Sequence, residues 1–268
     1  MLPGNIKRHI QVLVQTHGNA SVAGAAPFDD VVKDKGKGLI GLLVGPPGVG
    51  KTLTAEVMAE VSHKALYTLS SGELGESSST AMARLGEVME LAETWKAILL
   101  LDEADVFLAD RDDTNLSRNS LTSTFLRHLE YFQGIMLLTT NRIVSFDLAF
   151  QSRIHFCIEY PDLDKEARAS IWRIFRDKIA KAGDVSIHLD EDDIANLACQ
   201  EIQLNGRQIK NAMSISQSFA QEQRKAITYE GVVGAIDFSQ SGWIISRTPG
   251  LVCSPFREVV PDQSKPQE

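Results

Sequence analysis

The sequence predicts an α/β protein, a parallel sheet covered by helices on both faces and followed by a small all-helical unit. Three observations carry that prediction. Short apolar runs alternate with amphipathic stretches between Leu39 and Ile158. One run is followed by the glycine-rich octapeptide GPPGVGKT at 45–52 and then by a good helix-forming segment. After Tyr160-Pro161 the apolar spacing becomes helical throughout. Runs without polar alternation suit strands buried on both faces, and parallel neighbours need a crossover element between them.

In chain order, Pro3 suits the first turn of a helix whose Ile6, Ile10, Leu13 and Val14 share a face beside Lys7 and Arg8. No acid precedes Asp29, a pattern that also suits a mitochondrial transit peptide, but two cations and little serine favour a structural helix. Gly36, Gly38 and Gly41 satisfy GxGxxG, yet they precede and enter the next strand where a dinucleotide loop must follow it, so they read as a lead-in loop. Leu39 to Val44 is the first strand and Leu53 to Val61 the helix after the octapeptide. Ala65 to Leu69 is a second strand, then comes the polar loop SSGELGESSS and a helix carrying Met82, Leu85, Val88, Met89 and Ala92. Ile98 to Leu101 is a strand ending at Asp102-Glu103. Leu116 to Phe132 is a helix with Leu121, Phe125, Leu129 and Phe132 on one face. Gly134 to Thr140 is a strand closing on Asn141, and Ile154 to Ile158 is the last strand.

Beyond it, Asp164 caps a helix whose Ile171, Ile174, Phe175 and Ile179 share a face. A shorter helix follows around Ile194 to Ala198, and a third runs from Gly206 to Gln223. Past Gly231 the periodicity fades, and the stretch with Pro255, Pro261 and Pro266 reads as a loose tail. The organisation is thus a lead-in helix and loop (1–37), a sheet domain (38–161), a helical domain (162–235) and a tail (236–268).

Two motifs carry chemistry. In the octapeptide, Gly45, Gly48 and Gly50 let successive N–H groups turn toward one anion at a helix start, Lys51 reaches β- and γ-phosphates, and Thr52 offers a hydroxyl to Mg²⁺. The nucleotide-binding set is Gly45, Pro46, Pro47, Gly48, Val49, Gly50, Lys51, Thr52 and Leu53. The acids sit at the carboxyl end of a buried strand, where α/β sheets place their ligands. Asp102 there joins Thr52 in the Mg²⁺ shell, and Glu103 orients and polarises a water. ATP and Mg²⁺ are the implied ligands. Residues 102–105 also spell DEAD, but such helicases need two nucleotide-fold domains and this chain has one such loop.

At 268 residues and 43 % hydrophobic content, the chain is long enough for a larger and a smaller domain. A formal charge of −8 argues against a broad nucleic-acid footprint. Cys157, Cys199 and Cys253 are odd in number and lack metal-ligand spacing, which suits a reducing, intracellular compartment, cytoplasmic or nuclear in preference to mitochondrial. No apolar stretch is long enough to span a bilayer. The histidines show no ligand spacing, and neither G-x-S-x-G nor H-E-x-x-H occurs.

The order of loop, acidic strand end, Asn141, SRI at 152–154 and NGR at 205–207 resembles the AAA+ ATPases of the P-loop NTPase superfamily. LLLDEADVFL, LEYFQGIMLLTTNR and FDLAFQSRIH resemble the core of fungal AAA-type ATPases, usually longer proteins with further amino-terminal domains. The likeness covers roughly Leu2 to Val233 and would make this chain mostly core, a shortened product of a longer design. It implies that Asn141 holds the attacking water, that Arg153 is an arginine finger inserted into a neighbouring subunit, and that Arg207 reaches the nucleotide from the helical domain. It also implies a homo-oligomeric ring, a hexamer among the options, acting on a protein client. Two departures stand out: Gln151 and the lack of a second arginine leave Arg153 alone, and SSGELGE lacks the aromatic residue that polypeptide-threading members carry. Alternatives are an ATP-gated assembly scaffold that hydrolyses slowly and a clamp-loader-like DNA machine, the latter disfavoured by the acidic balance.

Overall fold

The computed structural model describes residues 4–19, 36–74, 78–108, 116–141, 148–200 and 203–244. It divides into two units. The first, Met1–Arg168 with Gln203–Arg207, is built on five parallel strands. These are β1 (Leu39–Val44), β2 (Leu66–Ser70), β3 (Ile98–Asp102), β4 (Ile135–Thr140) and β5 (Phe156–Glu159), in the order β2-β3-β4-β1-β5. All five strands anticipated from the apolar runs are present, with ends shifted by two residues or fewer. The register pairs Val44 with Thr140 and Leu101 with Leu138. The carboxyl ends of β1, β3 and β4 therefore finish nearly level, and Gly45, Glu103 and Asn141 leave the same edge.

Adjacent residues of the central strands feed opposite faces. On one face Leu39, Leu43, Ile98, Leu100, Ile135 and Leu137 pack with Ile10 and Val14 of α1 (Gly4–Asn19) and Ala55, Met58 and Ala59 of α2 (Lys51–Val61). On the other, Ile40, Leu42, Leu99, Leu101, Met136 and Leu138 meet α3 (Ser78–Trp95), α4 (Asp105–Leu108), α5 (Leu116–Tyr131) and Phe150 of α6 (Leu148–Gln151). The predicted faces of α3 and α5 are buried residue for residue. Phe107, Phe125 and Phe150 form a tilted aromatic row with centroids 4.9 and 6.0 Å apart. Removing the ring of Phe125, which has no exposure, should cost about 3–5 kcal/mol.

Some local expectations fail for identifiable reasons. Leu13 is 41 % exposed, because the face of α1 that meets the sheet runs through Ile10 and Val14. Helix α2 starts at Lys51, two residues early, since Gly50 adopts a left-handed N-cap conformation. Part of the polar loop is ordered as a 3-10 turn, Ser71–Leu74, whose Glu73 carboxylate accepts the Ser70 N–H at 3.0 Å. The one-turn helices α4 and α6 are too short to show a period.

The second unit comprises Ala169–Ile202 and Gln208–Glu268. Helix α7 (Lys165–Ala182) begins just before it, where Asp164 Oδ1 accepts the Ala167 N–H at 2.7 Å. Ile179 is buried, but Ile174 is 54 % exposed; the anchor is Trp172, at 1 % exposure, which turns the buried face away from Ile174. Helix α8 (Glu191–Cys199) has a complete capping box between Asp190 and Asp193. Helix α9 (Gly206–Gln223) buries Ile209, Ala212, Met213 and Ala220. A fourth helix, α10 (Tyr229–Ile244), replaces the predicted loss of periodicity and the first residues of the predicted tail. Val232, Ala235 and Ile236 form its buried stripe, masked in the sequence by Gly231 and Gly234. The rest of that tail, 245–268, lies outside the described residues.

Candidate functional site

The site begins where β1 ends. Gly45, Gly48 and Gly50 have φ of 150°, 78° and 105°, values that side chains resist, so the loop needs glycine at each. Gly48 has a second reason. A Cβ there would lie 2.7 Å from the Asn205 side-chain carbon, and its carbonyl accepts the Gly206 N–H at 2.9 Å. The NGR segment is thereby pinned to the loop. At Gly50 no side chain caps α2, which leaves the first-turn N–H groups of that helix to an anion.

Lys51 opens α2 and is 6 % exposed. Its ammonium donates to Gly45 O at 2.7 Å, Pro46 O at 2.8 Å and Asn141 Oδ1 at 2.8 Å. Burial pushes its pKa below the ordinary lysine value, Asp102, Asp105 and Glu103 oppose that, and Arg207 adds to it. Thr52 Oγ1 lies 3.3 Å from both carboxylate oxygens of Asp102. These are hard oxygen donors facing each other beside a phosphate-binding loop, the donor set that suits Mg²⁺.

Asp102 is held from behind: Thr139 Oγ1 donates a hydrogen bond to its Oδ1. Thr140 does the same for Asp105. Glu103 is exposed, with a left-handed φ of 56°, a conformation that costs a non-glycine residue about 1–3 kcal/mol. Its N–H donates to Thr139 Oγ1 at 3.0 Å.

Arg153, just beyond α6, donates to Ala149 O at 2.8 Å and Ser152 Oγ at 3.2 Å, and pairs with Glu130 of α5 at 3.3 Å. Its Nε is buried with no hydrogen-bond partner among the described residues. The fold thus gathers Lys51, Thr52, Asp102 and Asn141, sets Glu103 beside them, and engages Arg153 with α5. Arg207 is exposed at the start of α9. Pro46, Pro47 and Val49 line a cavity of about 190 Å³ with Arg168 and Asn205. Val49 and Leu53 line a larger, apolar one of about 390 Å³ between α1 and α2.

Thr139, Glu130 and Tyr160, whose hydroxyl bonds Thr54 Oγ1 at 2.8 Å, escaped the sequence reading. Only Thr139 left a trace, as one of the two threonines that end an otherwise apolar strand.

Comparison with known proteins adds two adjoining matches. Residues 41–162 match the ATPase family associated with various cellular activities (AAA), and residues 163–236 match the fungal AAA+ ATPase lid domain. Among curated relatives, the chain is 31 % identical over 162 residues to the ATPase family AAA domain-containing protein 3A homolog of Drosophila melanogaster, covering 57 % of this chain and 27 % of that protein. It is 27 % identical over 209 residues to the human ATPase family AAA domain-containing protein 3B, covering 72 % and 32 %. It is 28 % identical over 235 residues to the proteasome-activating nucleotidase 2 of Halobacterium salinarum, covering 80 % and 55 %. The chain therefore spans between 27 % and 55 % of the length of these relatives.

Proposed function

We propose that this chain, which belongs to the AAA+ family of ATPases, binds ATP with Mg²⁺ and hydrolyses its terminal phosphoanhydride bond within a ring of like subunits. The observation that carries the reading is the convergence of Lys51, Asn141, Thr52 and Asp102 at one sheet edge. Gly45 O, Pro46 O and Asn141 Oδ1 already hold the lysine ammonium, and phosphate oxygens would replace part of that set. Thr52 and Asp102 would hold Mg²⁺, which when bound neutralises charge on the β- and γ-phosphates. Glu103 accepts a proton from a water whose oxygen forms the new bond to the γ-phosphorus; the bond to the β–γ bridging oxygen breaks and ADP leaves with that electron pair. Asn141 orients the water, Arg153 of a neighbouring subunit offsets the charge on the transferred phosphoryl, and Arg207 approaches the nucleotide from the start of α9. Leu53 and Val49, at the loop end of the larger cavity, offer an apolar wall to the base.

The likeness to a proteasome-activating nucleotidase supports a protein client, remodelled as the ring turns over. Free Cys157 and Cys199 support an intracellular, reducing setting. The slow-hydrolysing scaffold keeps one specific support: Arg153 is engaged by Glu130 of its own chain. Steady-state ATP turnover against protein concentration, with and without Mg²⁺, tests both. Mg²⁺-dependent specific activity that climbs with concentration is expected of the ring ATPase. Tight ATP binding with negligible turnover at every concentration would leave the scaffold.

A further inference from the structure

We infer that Thr139 is a positioning residue that locks Asp102 and Glu103 into one unit, an inference that rests on reading those acids as the Mg²⁺-shell and water-polarising groups. Thr139 is the penultimate residue of β4 and is 1 % exposed. It bonds three consecutive residues at the end of β3. Its hydroxyl donates to Asp102 Oδ1 and accepts the Glu103 N–H at 3.0 Å, and its carbonyl accepts the Ala104 N–H at 2.8 Å.

The order of donation is forced. The Glu103 N–H can only donate, so the Thr139 oxygen accepts it and the hydroxyl proton is left to point at Asp102. One hydroxyl therefore fixes the rotamer of the carboxylate facing Thr52 and anchors the left-handed backbone at Glu103. Any other conformation of Glu103 would aim its carboxylate elsewhere. Without the hydroxyl, the Asp102 oxygen loses its orienting donor and the Glu103 N–H its acceptor, so metal affinity and the placement of the base should fail together. Valine has the same shape and no hydroxyl; serine keeps the hydroxyl and drops the methyl.

The test compares Thr139→Val, Thr139→Ala and Thr139→Ser with wild type, reading binding of a fluorescent ATP analogue across a MgCl₂ titration alongside kcat and KM. The valine and alanine variants should raise the Mg²⁺ needed for half-maximal binding and lower kcat, each by about ten- to a hundredfold, the range for outer-shell partners of a metal site. Analogue binding in EDTA should stay near wild type, because it depends on Lys51 and the loop; it also reports whether each variant is folded. Serine should recover both parameters. Valine and alanine variants with wild-type Mg²⁺ dependence and kcat would overturn the inference, as would a serine variant as impaired as they are, which would assign the effect to the lost methyl. If wild type binds the analogue without regard to Mg²⁺, or Glu103→Gln turns over normally, the reading of the acids fails instead.

Discussion

Lys51→Met keeps the length of the side chain and deletes the ammonium, and the structure predicts that it will damage binding far more than folding. Three acceptors lose their donor: Gly45 O, Pro46 O and Asn141 Oδ1. An acceptor orphaned in a dry interior costs about 1–3 kcal/mol, but Pro46 and Asn141 are only half-buried, so water can serve them and Gly45 O carries most of the loss. Against this, a charge that the fold disfavours disappears. Burial lowers the lysine pKa, so the folded chain binds that proton less tightly than the unfolded chain does. The two effects should nearly cancel, leaving stability without ligand within about 1.5 kcal/mol of wild type. Thermal unfolding with and without Mg²⁺ and ATP provides the assay. At roughly a hundredfold excess over Kd, ligand should add about 2.7 kcal/mol to wild type, and the variant should gain nothing. The pH dependence adds a signed check. With the folded value below the unfolded one, the cost of the charge is fully present below the folded pKa and is relieved as pH rises toward 10.5, so wild type should gain on the variant in the alkaline range. Equal ligand stabilisation in both proteins would refute the phosphate-binding role. A loss above about 4 kcal/mol without ligand would refute the cancellation.

Glu103→Gln should bind the ATP analogue with near wild-type affinity yet lower kcat by about 10²–10⁴, the usual worth of a general base, as single-turnover measurements will register. Arg153→Ala should leave nucleotide affinity unchanged and cut turnover in the assembled state by about a thousandfold; mixing it with Lys51→Met subunits should restore part of the activity if the arginine acts in trans. A harmless Arg153→Ala would remove the finger from the account. Burial lowers the pKa of His17 and His128, so both favour the neutral form when folded. The stability they contribute is present above their unfolded value of 6.5 and lost as pH falls from there toward the lowered folded values. The urea midpoint should therefore drop between pH 7 and 5.5, and less in a His17→Gln, His128→Gln variant; parallel curves for the two proteins would refute this.

The sheet was legible because its strands are apolar on both faces, which writes burial into contiguous letters, and because the glycine loop punctuates the first of them. The helices of the sheet unit were legible where large side chains recur, as at Leu121, Phe125 and Leu129. Periodicity misled where one large residue overrode a row of apolar ones: Trp172 sets the buried face of α7 and leaves Ile174 outside. It failed outright in α10, whose stripe of Val232, Ala235 and Ile236 is interrupted by glycines that look like loop. For the site, the residues proposed to meet a phosphate or a metal follow spacing rules that the letters show, whereas those that hold them in place are brought close only by the fold.

Arg153 shows how much that difference matters. Its position after Ser152 suggested a group that works in another subunit, and nothing in the letters connects it with Glu130, which lies on α5, 23 residues earlier. Once the chain folds, the two meet at 3.3 Å with their side chains about a quarter and a fifth exposed. A pair so placed is worth about 0.2–1 kcal/mol, a factor of roughly 1.4 to 5 in an equilibrium. The pair alone is too weak to imprison the arginine, and together with the bonds to Ala149 O and Ser152 Oγ it fixes the resting place. A finger that must exchange Glu130 for the phosphoryl of a neighbouring site should then respond to Glu130→Gln with a change in turnover no larger than about fivefold, in either direction, at unchanged nucleotide affinity. A hundredfold loss would show that the glutamate aims the arginine as well as retaining it.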